Sequence, residues 1–426
     1  MRKSVVSLLM ALLMVLMCLP VTSLAEEPVT ITFAYFGAEE EIVIKDDVLA
    51  AFEASHPNIK VEGTYAIGMD YPLKLQTWFA ANDAPDVLAI ALDVMYPFKD
   101  LGVYEDLTPY MERDGLLDGN TWDPTLVQAF NHNGEIQAAP YVSKTHALAY
   151  NKTMFDAAGL EYPNENWTEE DLLNAARVLT TGDSMENKTY GLYLGWMRWE
   201  MLLNLYRDYP VYDTQNMKMN ALDNPAFRHS FEMMISMMRD EKIAIDSSSS
   251  STVGGGFETG KFGMALCYSM VDDMSKLIGD NFEWDIAPLP SSTEYGPWSP
   301  TVRMDGYCMN KNATKKEAAW ELIKYLTTDE TAQKISSKLG IPALQSLKDS
   351  DVYLKDFNGN KPYDKSVYSK MIGVGHGFDW AGVFVEVNQA VEDQFQLVLY
   401  DESDIDTALE EMQTTGDALF SAAKKN

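Results

Sequence analysis

A chain of 426 residues is long enough for two or three domains, each able to bury a core without disulfide staples. Its 33 basic and 64 acidic residues leave a net charge of -31. That balance argues against nucleic-acid or anionic-membrane binding, because phosphate groups need a Lys/Arg surface to neutralise them. With 46% hydrophobic and 11% aromatic residues, the chain reads as globular rather than disordered.

The first 25 residues read as a secretory leader. Arg2-Lys3 supplies a positive start, Val5 to Leu19 is almost unbroken apolar, and Ser23-Leu24-Ala25 offers a small-x-small cleavage site before Glu26. The expected location is therefore a periplasm or the extracellular face of the cytoplasmic membrane. Cys18 raises lipidation as the alternative, but Met17 is larger than the residue such a site takes, and Leu19-Pro20-Val21 continues the apolar run. Only Cys267 and Cys308 follow the leader. Two cysteines make no disulfide framework, and two separately buried thiols are expected over a bridge.

Beyond the leader, Val29–Tyr35 alternates as a half-buried strand ending at Gly37. A helical pattern follows from Ile44 to Phe52, then a short strand at Ile59–Glu62. The spacing next predicts a helix over 71–82 with Leu73, Leu75, Trp78 and Phe79 inward, and a strand over Val87–Leu92. Strands alternating with helices of this length predict βαβ units and a largely parallel sheet.

Thr168-Glu169-Glu170-Asp171 has the form of a capping box before an apolar-periodic helix, and Thr314-Lys315-Lys316-Glu317 of another. Residues 224–240 carry Phe227, Phe231, Met234, Ile235 and Met238 at helical spacing. The methionines there, Met233, Met234, Met237 and Met238, read as core packing before a hydrophobic-ligand site. Ser247–Ser251 with Gly254-Gly255-Gly256 reads as a flexible surface loop.

Seven blocks, in order, give the mature chain a specific resemblance. They are Tyr35-Phe36-Gly37 with the Phe52…His56–Val61 segment, and Asn82–Val87 followed by Asp93. Gly134–Pro140 then precedes Tyr150–Phe155, and Gly159-Leu160 and Trp167-Thr168 come next. Phe257–Ala265, Trp284–Pro290 and Ala318–Leu326 complete the series. The chain thereby resembles extracellular solute-binding proteins of the maltose-binding type, the sugar-capturing components of ABC importers. The resemblance implies an α/β fold of two lobes, the type II periplasmic-binding-protein architecture, with a ligand cleft between them.

It also implies several hinge crossings, placed near Pro140–Tyr141, near Pro288–Pro290 and after Ala343. One lobe would comprise residues 28–140 plus 291–345, and the other 141–290 plus 346–426. The implied partners are a small solute, a carbohydrate first of all, and the membrane permease subunits of an importer. A monomer without cofactor is expected.

Sugars present apolar CH faces and hydroxyl rims, so their sites combine aromatic platforms with carboxylates and amides. By position in the resembled family, the candidate ligand contacts are Tyr35 and Phe36 after the first strand, Asp93, and Lys144 beyond the first crossing. In the second half they are Trp196, Trp199, Tyr268, Trp298, Arg303, Asp305, Asp379 and Trp380. Trp78, Trp167, Trp284 and Trp320 sit inside periodic blocks and read as core. The histidines are scattered without zinc-site spacing, and Asp401–Asp406 lacks the central glycine of a calcium loop, so no metal is expected.

A secreted glycoside hydrolase is the competing class. It needs two carboxylates set across a scissile bond, and nothing marks such a pair or a nucleophile elbow. Among binders, a polyamine whose cationic ends suit an acidic, aromatic-lined cleft is the runner-up ligand. An anionic sugar requires Lys144 and Arg303 both to face the ligand.

Overall fold

A computed structural model describes residues 28–37, 39–67, 70–184, 187–195, 203, 205–213, 216–269, 271–355, 365–377 and 383–423. The leader, Trp196, Trp199, Asp379 and Trp380 lie outside the described residues. Two sheets, each with its own apolar core, make the two lobes.

In the first lobe, β1 (Val29–Gly37), α1 (Glu39–Ser55), β2 (Ile59–Ile67), α2 (Asp70–Ala81) and β3 (Val87–Ala91) form two βαβ units. Accordingly β1 pairs in parallel with both β2 and β3. Helix α2 begins one residue before the expected range and buries Tyr71 and Leu75, one turn apart. Leu73 was expected inward, but lies on the opposite face and is 61% exposed.

Three further strands complete this sheet: β4 (Ala139–Lys144), β12 (Thr301–Met309) and β13 (Ile341–Pro342), in the order β13-β4-β12-β3-β1-β2. These run antiparallel to their neighbours within that order. The expectation of a largely parallel sheet therefore holds only for the βαβ part. Of the three added strands, β12 arrives directly from the other lobe without a crossover helix and lies antiparallel to β3 and β4 on either side.

The second lobe contains β5 (His146–Asn151), β6 (Tyr190–Gly195), β7 (Ala244–Asp246), β8 (Phe262–Tyr268) and β9 (Trp284–Ala287), ordered β7-β6-β8-β5-β9. Helix α3 (Glu169–Leu179) packs on β6 and β8, and α4 (Pro225–Ile235) joins the same apolar core. Thr168 and Asp171 close the capping box that the sequence predicts, side chain to backbone in both directions. Met233, Met234 and Met237 are buried in the core, as are Trp167, Trp284 and, in the first lobe, Trp320. By contrast, α5 (Lys316–Thr328) starts after Lys315 with no side-chain cap. The serine-rich stretch is not loose: Asp246 caps a short helix at Ser247–Ser250, accepting from the Ser249 amide at 3.2 Å.

Two of the three crossings lie away from the expected positions. The first falls at Thr145, because β4 runs on to Lys144 and β5 begins at His146. For the second, the hairpin β10 (Ser291–Ser292) and β11 (Gly296–Pro297) stays with the second lobe. It is tied there by Ser291 N–H to Trp167 O at 3.0 Å and by Ser299 N–H to Leu205 O at 2.8 Å. The chain enters the first sheet only at Thr301. The third passage lies after Ala343: Leu344 still bridges Trp122 of the first lobe and Gln345 N–H donates to Thr121 O at 3.1 Å, while the Leu344 and Leu347 side chains join the second core. A further strand, β14 (His376–Gly377), returns to pair with the start of β12.

Both cysteines are buried thiols without a disulfide. Burial pushes Cys267 up to about 11 and also raises Cys308. Among the described residues, no helix is long and apolar enough to cross a membrane.

Gly191 in β6 shows how closely helix and sheet approach in the second lobe. A Cβ placed there would lie 2.1 Å from the carbonyl oxygen of Ala176 in α3. Since backbone cannot yield as a flexible side chain can, Gly191→Ala should destabilise the protein by at least about 1–3 kcal/mol. Urea unfolding followed by circular dichroism checks this, and an unchanged midpoint would contradict the packing.

Candidate functional site

The seam between the lobes is where the polar side chains of the candidate set converge. Strand alternation puts Arg303 and Asp305 on one face of β12. Register sets Arg303 opposite Lys144 and Asp305 opposite Ala91, the last residue of β3. Two residues further on, Asp93 lies in the first turn of a four-residue helix, Leu92–Met95. Asp93, Lys144, Arg303 and Asp305 thus form one cluster at the cleft end of the first sheet.

Lys144 and Asp305 form an ion pair at 2.9 Å, with side chains 11% and 3% exposed. Gly340 makes room for it, since a Cβ there would lie 2.7 Å from Ser143 O and 3.0 Å from Lys144 Cγ. Burial raises the proton affinity of Asp93; Arg303 opposes that rise and the charge of Asp305 adds to it. Two acids and two bases therefore face one another with no net charge. Such a cluster offers oriented donors and acceptors without an uncompensated ion.

Across the seam, His146 and Tyr268 are opposite one another in β5 and β8. Their rings lie 4.6 Å apart at 40°. His146 is 4% exposed, and burial, with a smaller contribution from Arg303, pushes its pKa down from 6.5 to about 3. Tyr268 is half-buried. The only residue between the two sheets here, Thr145, exchanges two hydrogen bonds with Ser269. Its N–H donates to Ser269 Oγ at 3.3 Å, and its carbonyl accepts from the Ser269 amide at 2.9 Å.

At the end of β1, Phe36 and Tyr35 point to opposite faces. Half-buried Phe36 lies 5.1 Å from Tyr71, with Lys45 Nζ 4.5 Å over its ring. Tyr35 was expected in the cleft, but is buried against Phe33 and Tyr65, and its hydroxyl donates to Asp46. Trp298 is also corrected to core. It is fully buried in the second lobe, and its indole N–H donates to Glu169. The structure thus brings together Asp93, Lys144, Arg303, Asp305 and Tyr268, with Phe36 on the first lobe.

Sequence reasoning missed Lys45, Thr145, His146 and Glu169. Lys45 is buried and donates to the Phe36 carbonyl at 2.6 Å. Glu169 accepts from Trp298, Tyr206 and, at 2.9 Å, His229. Burial alone would raise Glu169, but these bonds hold it below the usual glutamate value. For His146 a signal existed: it stands two residues after Lys144, the spacing of one strand face. No group of three or more metal-ligating side chains occurs among the described residues.

The family model for bacterial extracellular solute-binding proteins matches residues 37–333. A putative binding protein of Brucella abortus (strain 2308) is 24% identical over 322 residues, which cover 73% of this chain and 75% of that one. Among solved structures, an ABC substrate-binding protein of Listeria monocytogenes in complex with cycloalternan has a TM-score of 0.78 at 23% identity. That likeness covers 93% of this chain and 100% of the other. The maltose/maltodextrin-binding domain MalE of Bdellovibrio bacteriovorus, bound to maltotriose, has a TM-score of 0.73 at 20% identity over 93% and 100%.

The depressed His146 gives a pH prediction with a definite sign. Above pH 6.5 the imidazole is neutral whether the chain is folded or not, and it contributes nothing. As pH falls below 6.5 the unfolded chain takes up a proton that the folded chain refuses until about pH 3, so stability is lost. Replacing His146 with Phe should therefore gain about 2 kcal/mol more at pH 5 than at pH 7. Chemical denaturation of both proteins at the two pH values measures this. An equal difference at both pH values would mean that His146 is not held neutral.

Proposed function

The chain belongs to the family of bacterial extracellular solute-binding proteins, and we propose that it captures a neutral oligosaccharide between its lobes for delivery to an ABC importer. The observation that carries this reading is the charge-balanced cluster of Asp93, Arg303, Lys144 and Asp305 at the seam. With Lys144 committed to Asp305 at 2.9 Å and Arg303 acting on Asp93, the cluster suits hydroxyl groups better than a carboxylate or an ammonium. The ligands of the two solved neighbours, cycloalternan and maltotriose, accord with that choice.

In this reading Asp93 and Arg303 contact sugar hydroxyls, the Lys144–Asp305 pair holds the floor, and Phe36 and Tyr268 supply apolar surface. Trp196, Trp199, Asp379 and Trp380 are assigned to the same site by their positions in the sequence. The lobes close because the solute makes contacts with both that it cannot make when they are apart. Capture and release need no bond to be broken, and no catalytic role is assigned. Residues 1–25 direct export, Glu26 begins the mature chain without a lipid at Cys18, and the protein meets the permease subunits as a monomer.

The test is thermal unfolding of the chain from Glu26 with maltotriose, cycloalternan, a galacturonate oligomer and spermidine. A sugar present at one hundred times its dissociation constant stabilises the folded form by about 2.7 kcal/mol. A neutral oligosaccharide is expected to raise the melting temperature, and Asp93→Asn should weaken that sugar about tenfold or more. Stabilisation by spermidine alone would replace the carbohydrate reading with a polyamine one. Stabilisation by the galacturonate alone would show that Lys144 or Arg303 leaves its partner to meet the ligand.

A further inference from the structure

Buried polar atoms normally find partners, because an unmet one carries its full desolvation cost. At the seam this rule is broken within consecutive residues: Thr145 Oγ1 and His146 Nε2 are buried with no hydrogen-bond partner. His376 also has a buried Nε2 without a partner, but its Nδ1 is engaged, and each of the other described histidines engages at least one ring nitrogen. His56 bonds Ser55, His132 bonds Asp100, His229 bonds Glu169 and His376 bonds Ser299. His146 has a stacking partner in Tyr268, yet its Nε2 bonds nothing.

Its position gives the unmet nitrogen a use. His146 is the first residue of the second lobe's sheet, and Lys144 two residues earlier belongs to the cluster on the first. Arg303, paired opposite Lys144, is near enough to act on the His146 ring, which sets the imidazole beside the cluster. Burial and Arg303 keep the imidazole uncharged, so it presents one donor and one acceptor. A hydroxyl can both give and receive one hydrogen bond. No ion is needed to satisfy either group.

We propose that His146 is a specificity-determining residue of the solute site, its Nε2 taking a hydroxyl of the bound oligosaccharide as the lobes close. It contributes from the second lobe what Asp93 and Arg303 contribute from the first. This rests on the carbohydrate reading above. The unliganded protein tolerates the unmet nitrogen because the site is completed by the solute.

The experiment is calorimetric titration of maltotriose and cycloalternan into the wild-type protein and into H146F, H146L and H146Q, with thermal unfolding of each in the absence of sugar. Phenylalanine keeps a ring against Tyr268 and removes both nitrogens; glutamine restores a donor and an acceptor. The expected result is that H146F unfolds at or above the wild-type temperature, yet binds at least about tenfold more weakly. H146Q should recover part of that loss. If H146F does not fold, H146L is read in the same way.

An apolar variant that binds as tightly as the wild type overturns the role of His146 and leaves the carbohydrate reading standing. So does one that loses stability without losing affinity, since that is the mark of a structural histidine. A wild-type protein that binds neither sugar overturns the carbohydrate reading, and this inference with it.

Discussion

Thr145 and Ser269 exchange a pair of hydrogen bonds, amide to hydroxyl and amide to carbonyl, and the arrangement of both lobes depends on that exchange. Thr145 is the single residue between β4 and β5, and Ser269 follows the end of β8. The bonds continue the β5–β8 pairing by one rung, so the crossing residue is held to the second sheet one residue from the end of the first. So short a link leaves no room for one sheet to slide past the other. The freedom that remains is rotation about the seam, with the crossings at Ser299–Pro300 and beyond Gln345 following. That is the repertoire of a hinge rather than of a shearing interface.

The same constraint explains why the charges at the seam are balanced although the chain is strongly acidic. A carboxylate at the end of a strand, close to a crossing, is partly withdrawn from water, and a lone ion there would carry a heavy desolvation cost. Lys144 opposes Asp305 and Arg303 acts on Asp93, so the cluster meets that cost internally. Excess negative charge is left to exposed helices, where water and salt screen it.

What the sequence made legible was local. The capping box at Thr168–Asp171, the opening strand and three of the four expected core tryptophans, Trp167, Trp284 and Trp320, follow from local pattern and are so placed, while Trp78 is half-buried at the edge of the first core. The two-lobe architecture followed from seven ordered blocks, none decisive by itself. What escaped was set by contacts distant in sequence. Pro288–Pro290 looked like a crossing, but the hairpin after it is held to the second lobe by the Trp298–Glu169 bond, 129 residues apart. Tyr35 turned inward because its hydroxyl reaches Asp46 on the following helix. Leu73 has the right hydrophobicity for a core face, yet the Tyr71–Leu75 stripe defines that face instead. His146 was within reach by alternation from Lys144, but no sequence pattern discloses an unmet nitrogen.

Glu169 links these points. Its carboxylate receives hydrogen bonds from Tyr206, His229 and Trp298, which stand on three separate segments. Trp298 leads directly into the second crossing, and Leu205, next to Tyr206, accepts the Ser299 amide. The chain that follows Trp196 and Trp199 in sequence is thus pinned to the same carboxylate as the segment that leads into the hinge. Any rotation of β12 relative to the second lobe must pivot close to this anchor, because the hairpin before it cannot follow.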